Sequence, residues 1–437
     1  MGPLPVEAER IAILGAGRSG LATARALAER GVELFLSDHR PLSPQARELL
    51  SSLGVIYEEG GHTDRLLRGE LIVLSPGVPP ELPILEEARR RGVPIWGELE
   101  LAYRLSPTRR IIAVTGTNGK STTTRLIGEL LRARGHDVVV AGNIGNPFIG
   151  ELERLSPDTL AVLEVSSFQL ETTVCFRPHV AVWLNFAPDH LDRHRSLERY
   201  LQAKLKIFAN QTTDDFAVVQ EELLQRRLIP PLRPKLLSFS AEAALDLQPC
   251  EELDLPPHLR EDLAAALTAA RLVDPGVDLS LIDLEEALAV PHRLEFVAEL
   301  AGVRFYDDSK ATNVAATLAA LRSFSEPLVL ILGGLPKGES FDPLAQAIAA
   351  QAPEITVLLI GRAAGEIARA LERAGYRDYR FIADFEEAVE LALRSGRKVC
   401  LLSPACASFD MFANYAERGR AFQRAVLSAG ASASGQR

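Results

Sequence analysis

The sequence predicts an α/β protein of three domains. Short apolar runs alternate with Ala/Leu-rich helical stretches along the chain, two of these runs end in glycine loops, and 437 residues exceed what one hydrophobic core supports. Parallel strands joined by helices leave crevices at their carboxyl ends, so each glycine loop is a candidate nucleotide site.

The first block opens IAILGAGRSGLATARALAERGVELFLSD, Ile11 to Asp38. IAILG reads as a strand, Ser19 to Arg30 as a helix stopped by Gly31, and ELFLS as a second strand. Gly15, Gly17 and Gly20 fit G-x-G-x-x-G, and Asp38 follows near the position where dehydrogenases place a ribose-binding carboxylate. Alone this motif is weak. It fits NAD, another nucleotide, or a tight turn that binds nothing. LIVLSPGVP is a further strand with a turn at Ser75, Pro76 and Gly77, and GVPIWGELELAYRL leads into the second block.

That block begins IIAVTGTNGKSTTTRLIGELLRARG, a strand, a glycine loop and a helix. Gly116, Thr117, Asn118, Gly119, Lys120, Ser121 and Thr122 form the loop. Glycines let the backbone curl so that N–H groups face phosphate oxygens, and the helix amino terminus adds a favourable field. Lys120 suits the terminal phosphates and Ser121 suits Mg²⁺. G-x-x-G-K-S is shorter than the usual phosphate loop, but a plain dehydrogenase has no use for it. Strands LAVLEVSS and VAVWLNF follow, and Glu221 to Pro257 has weak periodicity. A third block from about Pro291 has strands PLVLILGG, ITVLLIG and KVCLLSP, with helices over Asp342–Ala350, Ala364–Ala374 and Phe385–Ser395. The expected domains are 1–96, 97–289 and 290–437.

Glu164 closes the apolar run LAVLE, where a buried carboxylate is costly without a cation. Ser166 and Gln169 read by themselves as helix-capping polars. His190 stands at a strand's carboxyl edge with Asp189 and Asp192 beside it, which favours a metal ligand. Lys204, in YLQAKLKIF, reads by itself as a helix-surface lysine.

Composition removes several function classes. A net charge of −10 argues against a nucleic-acid partner, and no apolar run of about 18 residues argues against a membrane. MGPLPVEAER lacks an apolar leader, so a cytoplasmic protein is expected. Cys175, Cys250, Cys400 and Cys406 lack C-x-x-C spacing and are expected to be buried, reduced thiols.

Six stretches, GTNGKST, LEVSSFQLE, NFAPDHLDRH, HRLEF, DDSKATN and LSPACASFD, together resemble the Mur ligases, in this order and over nearly the whole chain. The resemblance implies an N-terminal Rossmann-like domain holding UDP, a central phosphate-loop ATPase-type domain, and a C-terminal Rossmann-like domain. The set is most similar to members that add D-glutamate to UDP-N-acetylmuramoyl-L-alanine in cytoplasmic peptidoglycan synthesis. That implies ATP-dependent amide formation through an acyl phosphate, by a monomer.

By the same resemblance, Lys120, Glu164, His190 and Lys204 are catalytic. Ser121, Glu164, His190 and a carbamylated Lys204 hold two Mg²⁺ ions. Asp262, Arg293 and Asp308 join the loop at ATP, with Asp262 standing where the family usually has Asn. Gly15, Gly17, Asp38, Arg40, Ser75, Pro76, Gly77, Gly142, Asn143, Ser166 and Gln169 hold the UDP-sugar substrate. Lys310, Thr312, Lys337, Ser408 and Tyr415 are assigned to the D-glutamate side, with Leu335-Pro336 where Asp-Gly is expected. A sister Mur ligase and a folylpolyglutamate-synthetase-like enzyme are the alternatives within the class. A nicotinamide-dependent oxidoreductase, or a phosphate-loop switch protein lacking the third domain's cluster, are those outside it.

Overall fold

The computed structural model describes residues 8–242, 255–352 and 354–434. Its strands form three sheets. The first contains β1 (Arg10–Leu14), β2 (Glu33–Asp38), β3 (Ile56–Glu59), β4 (Leu71–Leu74) and β5 (Ile95–Gly97), ordered β3-β2-β1-β4-β5 and parallel throughout. The second contains β6 (Ile111–Thr115), β7 (Val138–Gly142), β8 (Leu160–Glu164), β9 (Val180–Trp183), β10 (Phe216–Gln220) and β11 (Lys235–Phe239). Its order is β11-β10-β9-β6-β8-β7, again all parallel.

The third sheet contains β12 (Glu295–Leu300), β13 (Val303–Asp307), β14 (Leu328–Gly333), β15 (Ile355–Ile360), β16 (Tyr379–Phe381) and β17 (Val399–Leu402). Its order is β12-β13-β17-β14-β15-β16, and only β12 runs antiparallel to its neighbour. The central strands β1, β6, β8, β14 and β17 are almost wholly buried apolar runs, as strands covered by helices on both faces must be.

The chain packs as two units, Met1–Phe186 with Glu198–Leu284, and Ala187–Leu197 with Glu285–Arg437. The first two sheets share a unit because one apolar core runs through both. The helix Glu98–Leu105 carries Leu99, Leu101, Ala102 and Leu105 into that core, beside Phe148 and Ile149. Each of the leucines contributes about 1.5–3 kcal/mol of burial. The predicted helix Asp342–Ala350 has those bounds, whereas the predicted Ser19 to Arg30 is Arg18–Ala28. Within the weakly periodic stretch from Glu221 lie a short helix, Glu221–Gln225, and the edge strand β11; part of the stretch lies outside the described residues. Among the described residues, no helix is long and apolar enough to cross a membrane.

The cysteine expectation is half right. Cys400 and Cys406 are buried, but Cys175 is exposed after the turn that follows the helix Ser167–Glu171, its sulfur 2.8 Å from Arg104 Nη2. Cys250 lies outside the described residues.

Two glycines of the first loop have different tasks. Gly15 takes φ +100°, a left-handed value that a side chain resists. Gly20 sits so close to the strand-to-helix turn that an added Cβ would lie 1.8 Å from the Gly15 carbonyl oxygen. Gly20→Ala therefore forces helix and turn apart. We expect it to destabilise the protein by about 3 kcal/mol, the upper end for overpacking; an unchanged midpoint in thermal unfolding would contradict this packing.

Candidate active site

In the first sheet the chain reverses direction of travel between β1 and β4, and a crevice opens there at the carboxyl ends. Gly15 and Gly17 follow β1, and the turn Ser75-Pro76-Gly77 follows β4. Ser75 ties the two by donating its hydroxyl to the Gly15 carbonyl at 2.9 Å. These residues, with Asp38, Arg40, Gly142, Asn143 and Gln169, line a cavity of about 510 Å³, which also meets Arg18, His39 and His62. Those last three were not singled out in the sequence.

Asp38 does something other than wait for a ribose. One carboxylate oxygen accepts from the Ala16 amide at 2.7 Å and the other from the Arg40 amide at 2.9 Å. It therefore braces the glycine loop. Ser166 and Gln169 form a capping box at the helix Ser167–Glu171, so their capping reading holds, while Gln169 also faces the cavity.

Register builds the second cluster. Val114 pairs with Glu164 and Thr115 with Trp183, so the ends of β6, β8 and β9 lie side by side. The loop after β6 turns through Gly116 and Gly119, the latter at φ +83°, into the helix Lys120–Ala133. Glu164 is buried, accepting from Ser121 Oγ at 2.6 Å and from Asn143 Nδ2 at 2.7 Å. The Thr122 hydroxyl is buried with no hydrogen-bond partner among the described residues. Asp262, on the helix Pro257–Val273, stands against the loop, and a Cβ at Gly119 would fall 2.1 Å from its Oδ1.

Lys204 is the clearest departure from a bland reading. It is 1% exposed rather than on the surface, lies over the Tyr200 ring, and donates to the Gly116 carbonyl at 2.6 Å. Lys120 reaches the same carbonyl at 2.9 Å and that of Thr117 at 2.8 Å. Asn185, at the end of β9, was missed in the sequence. Its side-chain oxygen takes the Thr117 and Asn118 amides at 3.1 and 2.8 Å, and its amide returns a bond to the Asn118 carbonyl. Its signal was available, a polar residue directly after an apolar strand beside the loop strand.

The third sheet gathers the remaining residues in the second unit. β13, β17 and β14 are adjacent, so Asp308, the segment from Ser403 to Ser408 and the Gly333–Lys337 loop meet at one edge. Lys337 donates to Asp189 Oδ1 at 2.8 Å and to Thr312 Oγ1 at 3.2 Å, while Asn313 Nδ2 holds the other Asp189 oxygen at 3.0 Å. Burial opposes ionisation of Asp189, but Lys337, His190 and these hydrogen bonds outweigh it and hold its carboxyl at about 2. His190 adopts φ +55° and begins the short helix Leu191–His194. Burial lifts Asp308 to about 7 even though Ser403 and Arg293 favour its charge. Lys310 lies over the Tyr415 ring at 5.6 Å, and Ser408 is buried. Leu335, in place of the expected Asp, pairs its backbone with Ala407 in both directions at 2.8 and 3.0 Å.

Three family models match in chain order: the MurD N-terminal domain over residues 10–84, the Mur ligase middle domain over 114–248, and the Mur ligase glutamate ligase domain over 292–406. UDP-N-acetylmuramoylalanine--D-glutamate ligase of Pelotomaculum thermopropionicum is 42% identical, over 96% of this chain and 98% of that one.

The chain belongs to the Mur ligase family.

The corresponding ligase of Caldicellulosiruptor bescii is 37% identical over 97% and 98% of the two chains. Among solved structures, the Mur ligase fold recurs in MurF of Thermotoga maritima in complex with ADP. That likeness has TM-score 0.57 and 16% identity, over 91% of this chain and 95% of that one. MurC of the same organism gives TM-score 0.56 and 20% identity, over 96% and 99%.

One buried acid lies behind this Mur ligase cavity. Glu98 is 1% exposed, accepts from the Ile149 amide at 2.8 Å and meets the Gln169 side chain, and burial raises it to about 7. A carboxyl raised on folding holds a proton that the unfolded chain releases. Its stabilising contribution is full below about pH 4.5, the ordinary value, and is lost as pH rises to about 7. Glu98→Gln keeps a neutral, bond-accepting group. It should therefore gain stability relative to wild type between pH 5 and 8, by up to ~3 kcal/mol. Parallel unfolding midpoints for the two proteins across that range would contradict the assignment.

Proposed function

We propose that this chain joins D-glutamate to UDP-N-acetylmuramoyl-L-alanine with cleavage of ATP, a cytoplasmic step in peptidoglycan precursor synthesis, and that it acts as a monomer. The observation that carries the reading is the loop Gly116–Thr122, which leads into a helix start carrying Lys120 and whose Ser121 hydroxyl donates to the buried Glu164. Near-full-length relatives named for this activity support the choice of amino acid.

A carboxylate resists attack by an amine because it offers no leaving group. Phosphorylation converts it to an acyl phosphate, and attack by the amino acid's amine then expels phosphate. Charge grows on oxygen in both steps, so fixed donors and cations carry the catalysis. Loop amides and Lys120 bind and orient the ATP phosphates. Asp262 borders the nucleotide beside the loop, and the third domain supplies Arg293 as a cation for the ATP phosphates and Asp308 as a nucleotide-binding carboxylate. The first crevice holds the uridine diphosphate, with Gly142, Asn143 and Gln169 toward the sugar. Lys337, Thr312, Lys310, Ser408 and Tyr415 receive D-glutamate, whose carboxylate takes over the Lys337 ammonium from Asp189.

The donor chemistry around Ser121 fits a hard divalent cation, since a hydroxyl and a buried carboxylate oxygen stand 2.6 Å apart. Ser121 and Glu164 would hold one Mg²⁺, and His190 and a carbamylated Lys204 would each serve as a further Mg²⁺ ligand. Such ions neutralise phosphate charge as it is transferred. Carbamylation suits Lys204, because two ammonium groups converging on one carbonyl repel, and an anion on either converts repulsion into attraction. A nicotinamide reading has less support, because residues 10–84 match the MurD N-terminal domain.

ADP release measured with UDP-N-acetylmuramoyl-L-alanine and a panel of amino acids tests the whole proposal. D-Glutamate should be preferred, and Lys120→Ala should reduce turnover far beyond tenfold, or about 1.4 kcal/mol of barrier. Preference for another amino acid would make the chain a sister ligase, and activity without Lys120 would remove the ATP assignment.

For Lys204, the substitution to Ala should nearly abolish activity, and short carboxylates added to the assay should restore part of it by supplying the missing anionic oxygens. A fully active Lys204→Ala enzyme would end the carbamate proposal.

A further inference from the structure

The segment His292–Leu294 takes an unusual path. His292 and Leu294 both have left-handed backbones, at φ +62° and +47°, on either side of Arg293. Neither is glycine, so each is strained and persists only where its surroundings over-determine it. The restraints here are carboxylates. The His292 amide donates to Glu295 Oε2 at 2.7 Å, and the Leu294 amide donates to Asp308 Oδ1 at 3.3 Å. The Lys310 amide also closes on the His292 carbonyl at 3.0 Å.

The tightest restraint is a side-chain pair. His292 Nδ1 lies 2.7 Å from Asp307 Oδ2, with Asp307 wholly buried and His292 nearly so. Gln423 donates to the same Asp307 oxygen at 2.9 Å, and the Ser309 amide takes the other at 2.9 Å. Gly419 leaves the space, for a Cβ there would fall 2.2 Å from His292 Nδ1 and 2.5 Å from Asp307 Oδ2. His292, Glu295 and Asp307 are close enough to suggest a metal site, yet Glu295 Oε2 and both Asp307 oxygens already accept hydrogen bonds. Their geometry is that of a completed hydrogen-bond set, which orients a ring and the backbone attached to it.

We propose that Asp307 is a positioning residue for the ligase reaction: through the His292 ring it locks the left-handed turn and so fixes where Arg293 is presented. The inference rests on the role given above to Arg293 as a cation for the ATP phosphates. Asp307 itself touches no substrate. Its contribution is to spare the enzyme the search for a rare backbone conformation during phosphoryl transfer, when charge on the phosphate oxygens peaks.

A double-mutant cycle on the full chain tests this, with kcat and the D-glutamate KM measured at saturating ATP. Asp307→Ala should lower kcat by about tenfold or more, a loss within reach of a small misplacement of a catalytic group. The D-glutamate KM should stay within about twofold, because the lost interaction belongs to the transition state. In an Arg293→Ala background the same substitution should cost less than about twofold, since a residue acting only through Arg293 has nothing left to position. Asp307→Asn, which keeps an acceptor oxygen for Nδ1, should recover part of the loss. An equal loss in both backgrounds would make Asp307 a structural residue and overturn the inference while leaving Arg293's role standing. Arg293→Ala activity within about twofold of wild type would overturn both. Unfolding midpoints accompany each variant. If Asp307→Ala fails to fold, His292→Asn, which tolerates the left-handed backbone, replaces it in the cycle with the same two criteria.

Discussion

The carbonyl oxygen of Gly116 is where the central domain's chemistry is anchored. Two lysine side chains, one from the helix that follows the loop and one from a helix much later in the chain, donate to it. The oxygen can occupy its place because Gly116 has no side chain and because Asn185 secures the next two amides. Loop shape, lysine placement and the Ser121–Glu164 contact therefore rise or fall together. Under the proposed function the arrangement would cost little reorganisation when phosphate charge develops, which is the main advantage of a preorganised electrostatic site.

Parallel topology explains why residues so far apart in sequence share a site. A parallel sheet aligns the carboxyl ends of its strands, and each strand hands its next few residues to the same edge. In the second sheet that edge receives the phosphate loop, Glu164 and Asn185 from three neighbouring strands. In the third it receives Asp308, the Ser403–Ser408 segment and the Lys337 loop by the same logic. The candidate site residues cluster at strand ends, in loops and on the helices that follow them, while the apolar strands beneath carry the stability.

Much of this was legible in the sequence because it is local. Glycine loops between an apolar run and a helix declared the crevices, and Glu164 was rightly placed at a strand's end. His190, expected at the edge of the strand VAVWLNF, instead lies well beyond β9, at the start of Leu191–His194, and belongs to the second unit. Lys204 was misread by residue type alone. Tyr200, Ala203, Lys204 and Ile207 are all buried and follow the i, i+3, i+4, i+7 spacing of one helical face, so periodicity had already marked the lysine as inward. Other features have no local signature. Asp189 and Lys337 pair across 148 positions, and Glu98 meets Ile149 across 51. Only the folded sheets bring such partners together.

The Leu335–Ala407 bridge has an evolutionary meaning. It is made by main-chain groups alone, Leu335 donating and accepting in turn. The geometry of the loop that delivers Lys337 is thus insured by atoms common to every amino acid except proline, which lacks the donor. Position 335 is consequently free to drift in side-chain chemistry while the lysine two residues on keeps its station. A side-chain change at 335 leaves this main-chain bridge its donor and acceptor, and the residue that would remove the donor is proline.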